Sequence, residues 1–154
     1  MKIKRVLPNN RKKAFIVESK KGIHEFPYAL LRLKPSTKNP ISSVYVDPEL
    51  ANEGFTYVLL NGKEDSVLLE QVLYINRDPD VTREYLLYDL SCTAQKLLKD
   101  SKITKRSLAR RLEIQPTQLY RLLDQTFYGK TIDQMVRLLT ALGSRVEIST
   151  KLAA

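Results

Sequence analysis

The chain has 154 residues, of which 43% are hydrophobic and 28% charged, a composition that can bury a core and does not default to disorder. Its 26 Lys and Arg outnumber 17 Asp and Glu, for a formal net charge of +9, which points to a polyanionic partner. One Cys and one His exclude an internal disulfide and zinc sites built from several such ligands; the start Met1-Lys2-Ile3-Lys4-Arg5 lacks the apolar stretch of a secretory signal, and no apolar run approaches a membrane span, so a cytoplasmic protein is expected.

Short strands are expected first: Lys2–Leu7, Ala14–Glu18 and, after the turn Ser19-Lys20-Lys21-Gly22, Ile23–Phe26. Ala29–Leu33 fits a helix or a strand equally well, and Ser43–Val46 reads as a strand. Phe55–Leu60 and Ser66–Leu69 flank Asn61-Gly62, the strongest hairpin signal in the chain, because both residues tolerate the positive φ of tight hairpin turns. Lys63-Glu64-Asp65 lengthens that loop and suggests a wider or bulged connection. Gln71–Asn76 fits one short helical turn.

The texture changes at Asp78-Pro79-Asp80. Six of seven prolines lie at or before Pro79, and beyond it apolar residues fall at helical spacing: Val81, Tyr85 and Tyr88, then Leu86, Leu90, Ala94, Leu97 and Leu98. Asp80 is expected to cap a helix starting near Val81. A boundary near 77–80 gives an N-terminal part, 1–78, and a C-terminal part, 79–154. The charge changes along the chain as well. Residues 1–40 carry eleven basic and two acidic side chains, residues 41–90 three and ten, and residues 91–154 twelve and five.

Within the last block, residues 105–124 have the pattern of two short helices crossing over a shared apolar face. Leu108, Leu112, Ile114, Leu119 and Leu122 are apolar, and Ala109 is small enough for close approach. Thr104 can cap the first helix. Pro116 suits the first turn of the second, where its missing N–H would be unpaired anyway. Thr131-Ile132-Asp133-Gln134 fits a capping box for a third helix that would bury Met135, Leu138, Leu139 and Leu142, with Gly143 where the chain leaves it.

This pattern resembles the helix-turn-helix of the Cro and phage-repressor superfamily, the Xre family, over about residues 91–148, and the ending Gly143-Ser144-Arg145-Val146-Glu147-Ile148 resembles that of HigA-type antitoxins. Glu113 stands where that family usually has a turn glycine. Arg145–Ser149 looks like a strand in place of a further helix. The resemblance implies a non-enzymatic regulator binding double-stranded DNA, with the helix at about 116–124 in the major groove. Gln115, Thr117, Gln118, Tyr120 and Arg121 are then the base-reading candidates: Gln can pair with adenine, Arg with guanine, and the Thr methyl with a thymine methyl. Thr104, Lys105, Arg106, Lys130 and Thr131 are the phosphate candidates, the last through an exposed helix N-terminus. Val44–Leu50, followed by an aromatic strand and Asn61-Gly62, has a shorter resemblance to small uncharacterised α/β domains found beside helix-turn-helix units.

The expected fold is therefore α+β: a small β-rich N-terminal domain for dimerisation or for binding an effector or partner, then an all-α Cro/repressor-like domain ending in a short strand. The expected function is a homodimeric, sequence-specific repressor that needs no cofactor or metal. The alternative is an antitoxin-type protein that grips a toxin-like partner through its N-terminal domain and operator DNA through its C-terminal one. Cys92 and His24 have no mutual spacing that suggests a nucleophile pair. The carboxylates Asp47, Glu49, Glu53, Glu64 and Asp65 read as loop charges.

Overall fold

The β-branched and aromatic runs of the first half form two antiparallel three-stranded meanders. The structure, a computed structural model, describes residues 1–152. Strands β1 (Ile3–Asn9), β2 (Ala14–Ser19) and β3 (Gly22–Pro27) make the first sheet, and β4 (Ile41–Val46), β5 (Gly54–Leu59) and β6 (Glu64–Leu68) the second, each in sequence order. The middle strands carry the core. Phe15 of β2 and Phe55 and Tyr57 of β5 are fully buried, with the Phe15 ring centroid 5.0 Å from Phe55, 5.0 Å from Tyr28 and 5.5 Å from Tyr57. The two closest pairs are edge-on, the orientation that the ring quadrupoles favour.

The Asn61-Gly62 hairpin is present, but its connection is shorter than Lys63-Glu64-Asp65 suggests: Leu60–Lys63 join β5 to β6, Glu64 and Asp65 already pair with Val58 and Tyr57 in the ladder, Gly62 has φ of 83°, and the Asn61 side chain accepts the Lys63 N–H at 3.0 Å. Residues 29–33 resolve neither as helix nor as strand. A single 3-10 turn, Tyr28–Leu30, is followed by irregular chain, and the Leu33 amide and carbonyl pair with the Tyr57 hydroxyl. That hydroxyl provides the partner a neighbouring strand would otherwise supply. Helix α1 (Leu69–Ile75) starts two residues earlier than the expected turn, because the Gln71 side chain accepts the Leu68 N–H at 2.9 Å and closes the first turn.

Two compact units divide the chain, Met1–Val81 and Thr82–Ala154. Helix α2 (Pro79–Asp100) runs through the division. Its cap is Asp78 rather than Asp80: Asp78 Oδ1 accepts the N–H groups of Asp80 and Val81, both at 3.1 Å. Pro79 takes the first helical position, where proline is best tolerated, and this shifts the helix start by two residues. Lys21 binds both Asp78 oxygens at 2.8 Å and Asp80 at 2.5 Å.

In the second unit, α2 is followed by α3 (Lys105–Arg111), α4 (Pro116–Leu123) and α5 (Ile132–Ala141). Their buried faces form one core: Leu87 and Ala94 of α2, Leu108 and Ala109 of α3, Leu119, Leu122 and Leu123 of α4, and Met135, Leu138 and Leu139 of α5. The expected terminal strand at Arg145–Ser149 is not formed; residues 144–152 have no helix or strand. Alternating residues are not enough, since a strand needs a ladder partner for its N–H and C=O groups, and none pairs with it among the described residues.

Candidate nucleic-acid interface

The turn between α3 and α4 is built by hydrogen bonds at both ends. Thr104 Oγ1 accepts the Ser107 N–H at 3.1 Å and caps α3. Glu113 has φ of 54°, the left-handed conformation that reverses the chain, with its N–H donated to Arg110 O and that of Ile114 to Ala109 O, each at 3.1 Å. Gln118 Oε1 then accepts the Gln115 N–H at 3.2 Å, closing the first turn of α4 behind Pro116. Burial of Leu119, Leu122 and Leu123 fixes the rotation of α4 and leaves Gln115, Thr117, Gln118, Tyr120 and Arg121 exposed.

Three of those five candidates have distinct surroundings. The Tyr120 ring lies under the Lys105 ammonium, 5.0 Å from its centroid, a cation–π contact joining the start of α3 to the outer face of α4. The Arg121 guanidinium sits 6.0 Å from the Phe127 ring and borders a hollow of about 190 Å³ shared with Gln118, Gln134 and Arg137. Gln118 therefore has one amide oxygen engaged in capping and its NH₂ free to donate. Lys105 and Arg106 are exposed in the first turn of α3. Thr131 caps α5 in a full capping box, Oγ1 accepting the Gln134 N–H at 3.1 Å and its own N–H donated to Gln134 Oε1 at 2.8 Å. Asp133 lies in that first turn and pairs with Arg137 at 3.0 Å, so its negative charge works against an anion there.

Lys130 is placed differently from the phosphate contact expected of it. It is only 1% exposed, and its ammonium donates to Ser91 Oγ at 2.5 Å, Leu122 O at 2.9 Å and Asp124 O at 2.6 Å. Three donors meet three acceptors, which leaves none for a phosphate. Leu122 and Asp124 stand at the C-terminal end of α4, where unpaired carbonyls and the helix dipole favour a cation. Burial pushes the Lys130 pKa below its ordinary value.

Residues on α2 complete this clamp. Gln95 Nε2 donates to Leu123 O at 2.5 Å, and Arg83 donates to Lys130 O at 2.5 Å and Tyr128 O at 3.2 Å. Ser91 Oγ in turn donates to Leu87 O at 2.6 Å. One sequence signal marks the clamp: Ser91 is a polar residue on the buried stripe Leu87–Ser91–Ala94, one and two turns apart. Arg111 is drawn to the last carbonyls of α5, with Nη1 3.4 Å from Ala141 O.

In the first unit, the Asp47 carboxylate accepts from Thr56 Oγ1 at 2.5 Å and the Glu49 N–H at 2.9 Å, and Glu53 binds the N-terminal amine at 2.6 Å. Both hold local structure. Among the described residues no group of three or more His, Cys, Asp or Glu side chains is arranged to hold a metal ion, and no helix is long and apolar enough to cross a membrane.

Residues 95–147 match the family model of the Cro/C1-type HTH DNA-binding domain, a segment spanning the C-terminal end of α2 and all of α3, α4 and α5. No curated protein and no solved structure matches the chain.

Proposed function

We propose that this protein is a sequence-specific transcriptional regulator that binds double-stranded DNA as a homodimer and represses from a two-fold site. The observation that carries this reading is α4 itself. Its apolar face is locked into the core, its C-terminal carbonyls are held by Lys130 and Gln95, and its N-terminal side chains are left outward. In helix-turn-helix proteins a helix presented in this way lies in the major groove with its N-terminal residues at base edges.

In that pose Gln115, Thr117, Gln118 and Arg121 meet base edges, Arg121 being suited to guanine and the glutamines to adenine. Tyr120, under Lys105, packs at the edge of the groove. Pro116 offers no side-chain donor, so readout shifts to Thr117 and Arg121. Lys105, Arg106 and the Thr104 cap contact phosphates and set the register without reading sequence, whereas Asp133 disfavours the phosphate contact expected at Thr131.

Selection of fragmented genomic DNA by the full chain, at roughly 0.15 M salt with excess competitor, tests the reading, because phosphate contacts alone weaken steeply with salt. Wild type should enrich a short two-fold motif, and Arg121→Ala should relax one position at a cost of about 1–3 kcal/mol. Enrichment of nothing by the wild type, or of the same motif with equal affinity by the variant, overturns it.

A further inference from the structure

The first unit holds a concave site that DNA recognition by α4 does not use. The turn between β1 and β2 and the irregular chain after β3 border an open-sided cleft of about 790 Å³, within the range of roughly 300–1,000 Å³ common for small-molecule sites. Lys13 comes from the turn, Lys34, Ser36 and Thr37 from the irregular chain, and Tyr28 and Ile41 supply apolar surface. Among the described residues no carboxylate lines it. Lys12, also at the rim, is neutralised by its ion pair with Glu25. Lys13 and Lys34 are exposed and have no ion pair among the described residues.

Its walls are built rather than merely adjacent. The Tyr28 N–H donates to Lys13 O at 2.8 Å, and the Tyr28 hydroxyl to Asn10 Oδ1 at 3.0 Å, tying the turn to the far wall. Ser36 and Asn39 exchange backbone hydrogen bonds at 3.1 Å, and the Leu60 N–H reaches Pro40 O at 2.9 Å while the Asn61 N–H reaches Asn39 Oδ1 at 3.0 Å. The irregular chain is thus anchored to the β5–β6 connection at its end and to Tyr57, through Leu33, near its start. Two unneutralised ammonium groups, two hydroxyls and an apolar floor in one fixed hollow are the complement of an anion joined to an apolar ring.

We propose that this cleft binds a small phosphorylated ligand of nucleotide size, its phosphates held by Lys13 and Lys34 with Ser36 and Thr37, and its apolar body against Tyr28 and Ile41. The concavity distinguishes it from a surface track for nucleic acid, which follows an extended backbone along an open basic face.

Titration calorimetry on the full chain at about 0.05 M salt, where screening is moderate, tests this with ATP, AMP, inorganic phosphate and adenosine as probes. ATP and AMP should bind saturably at one site per chain, adenosine roughly tenfold or more weakly, and the Lys13→Gln/Lys34→Gln variant should lose roughly tenfold in ATP affinity, the scale of two charge-assisted contacts. Amide chemical shifts of wild type provide the second readout, with Lys13, Tyr28 and Ser36 moving on ATP addition whether or not the variant folds. Absence of saturable binding by either nucleotide, equal affinity of a folded variant, or shifts confined to other residues would overturn the proposal. So would a variant that loses duplex-DNA affinity while nucleotides bind neither form, since the cleft would then serve the nucleic-acid backbone.

Discussion

Replacing Lys130 by Met isolates the clamp on α4. Methionine keeps most of the length and apolar volume of the lysine stem and removes only the ammonium. Ser91 Oγ stays partnered, because it donates to Leu87 O at 2.6 Å. Leu122 O, bonded at 2.9 Å inside the core, loses the ammonium, while Asp124 O, at the partly buried edge, can take water. A buried acceptor left unmade costs about 1–3 kcal/mol, and loss of a charged donor raises the figure. Removing the buried charge returns some of its desolvation cost. The net expectation is about 2–4 kcal/mol of destabilisation, a large fraction of the roughly 5–15 kcal/mol of a typical domain. Hydrogen exchange on the full chain should show it locally, as faster exchange from the end of α4 through residue 130 and unchanged protection in the sheets. There is also a pH signature. Burial holds the folded Lys130 pKa below 10.5, so the unfolded chain keeps its proton where the folded chain gives it up, and this residue's contribution makes stability rise with pH over the window just below 10.5. The Met variant should lack that increment. Wild-type protection near residues 122–130 in the variant, or a variant more stable than wild type, would refute the clamp, because it would show the ammonium costs more to bury than its three bonds return.

Glu113 holds φ of 54° with an exposed side chain. Glu113→Gly should therefore relieve about 1–2 kcal/mol of left-handed strain against about 0.5–1 kcal/mol of added chain entropy, and a thermal scan should show the melting temperature rising by a few degrees. A fall would mean the Glu113 side chain contributes contacts that outweigh its strain. Asp78 caps α2 and binds Lys21; Asp78→Ala should cost about 1 kcal/mol through the lost cap, whereas Asp78→Asn keeps a capping oxygen and should cost less. The Lys21 ammonium, and then the Val81 N–H, hold the Asp78 carboxyl below its ordinary 3.8. Its stabilisation is present above that value and is lost as pH falls through the folded value, so acid titration followed by circular dichroism should be flatter for Asp78→Asn than for wild type.

The parts legible in the sequence are those fixed by nearest neighbours. The apolar spacing of Leu108, Leu119 and Leu122 with the small Ala109 reports a shared helical face directly, and the Thr131–Gln134 capping box and the Asn61-Gly62 turn are set within four residues. Local pattern misleads where a remote partner, or the exact position of one residue, decides. Ala29–Leu33 reads as helix or strand by composition, but the Tyr57 hydroxyl, more than twenty residues away, settles it as neither. Arg145–Ser149 alternates like a strand and lacks the ladder that would make it one. The Asp80 cap failed by two positions because Asp78 and Asp80 flank the same proline and are equivalent by residue type; only the proline's preference for the first helical turn separates them.

The basic block presents the same difficulty with more consequence for function. By sequence, Arg83, Lys105, Arg106, Arg111, Arg121, Lys130, Arg137 and Arg145 are all cations near a helix-turn-helix. In the structure they have different tasks. Arg83, Arg111 and Lys130 bond backbone carbonyls, while Arg137 and Arg145 pair with Asp133 and Glu147. Lys105, Arg106 and Arg121 remain exposed with no ion pair among the described residues, alongside Lys102 and Arg110. They come from the approach to α3, from α3 itself and from the outer face of α4. Counterion release follows phosphates neutralised, not lysines and arginines present. Lys130 bonds the carbonyls at the end of α4, Arg83 those of Tyr128 and Lys130, and Arg111 that of Ala141 at the end of α5. The net charge of +9 therefore overstates the electrostatic footprint, and the residues that orient the recognition helix are a different set from those that would meet the nucleic acid.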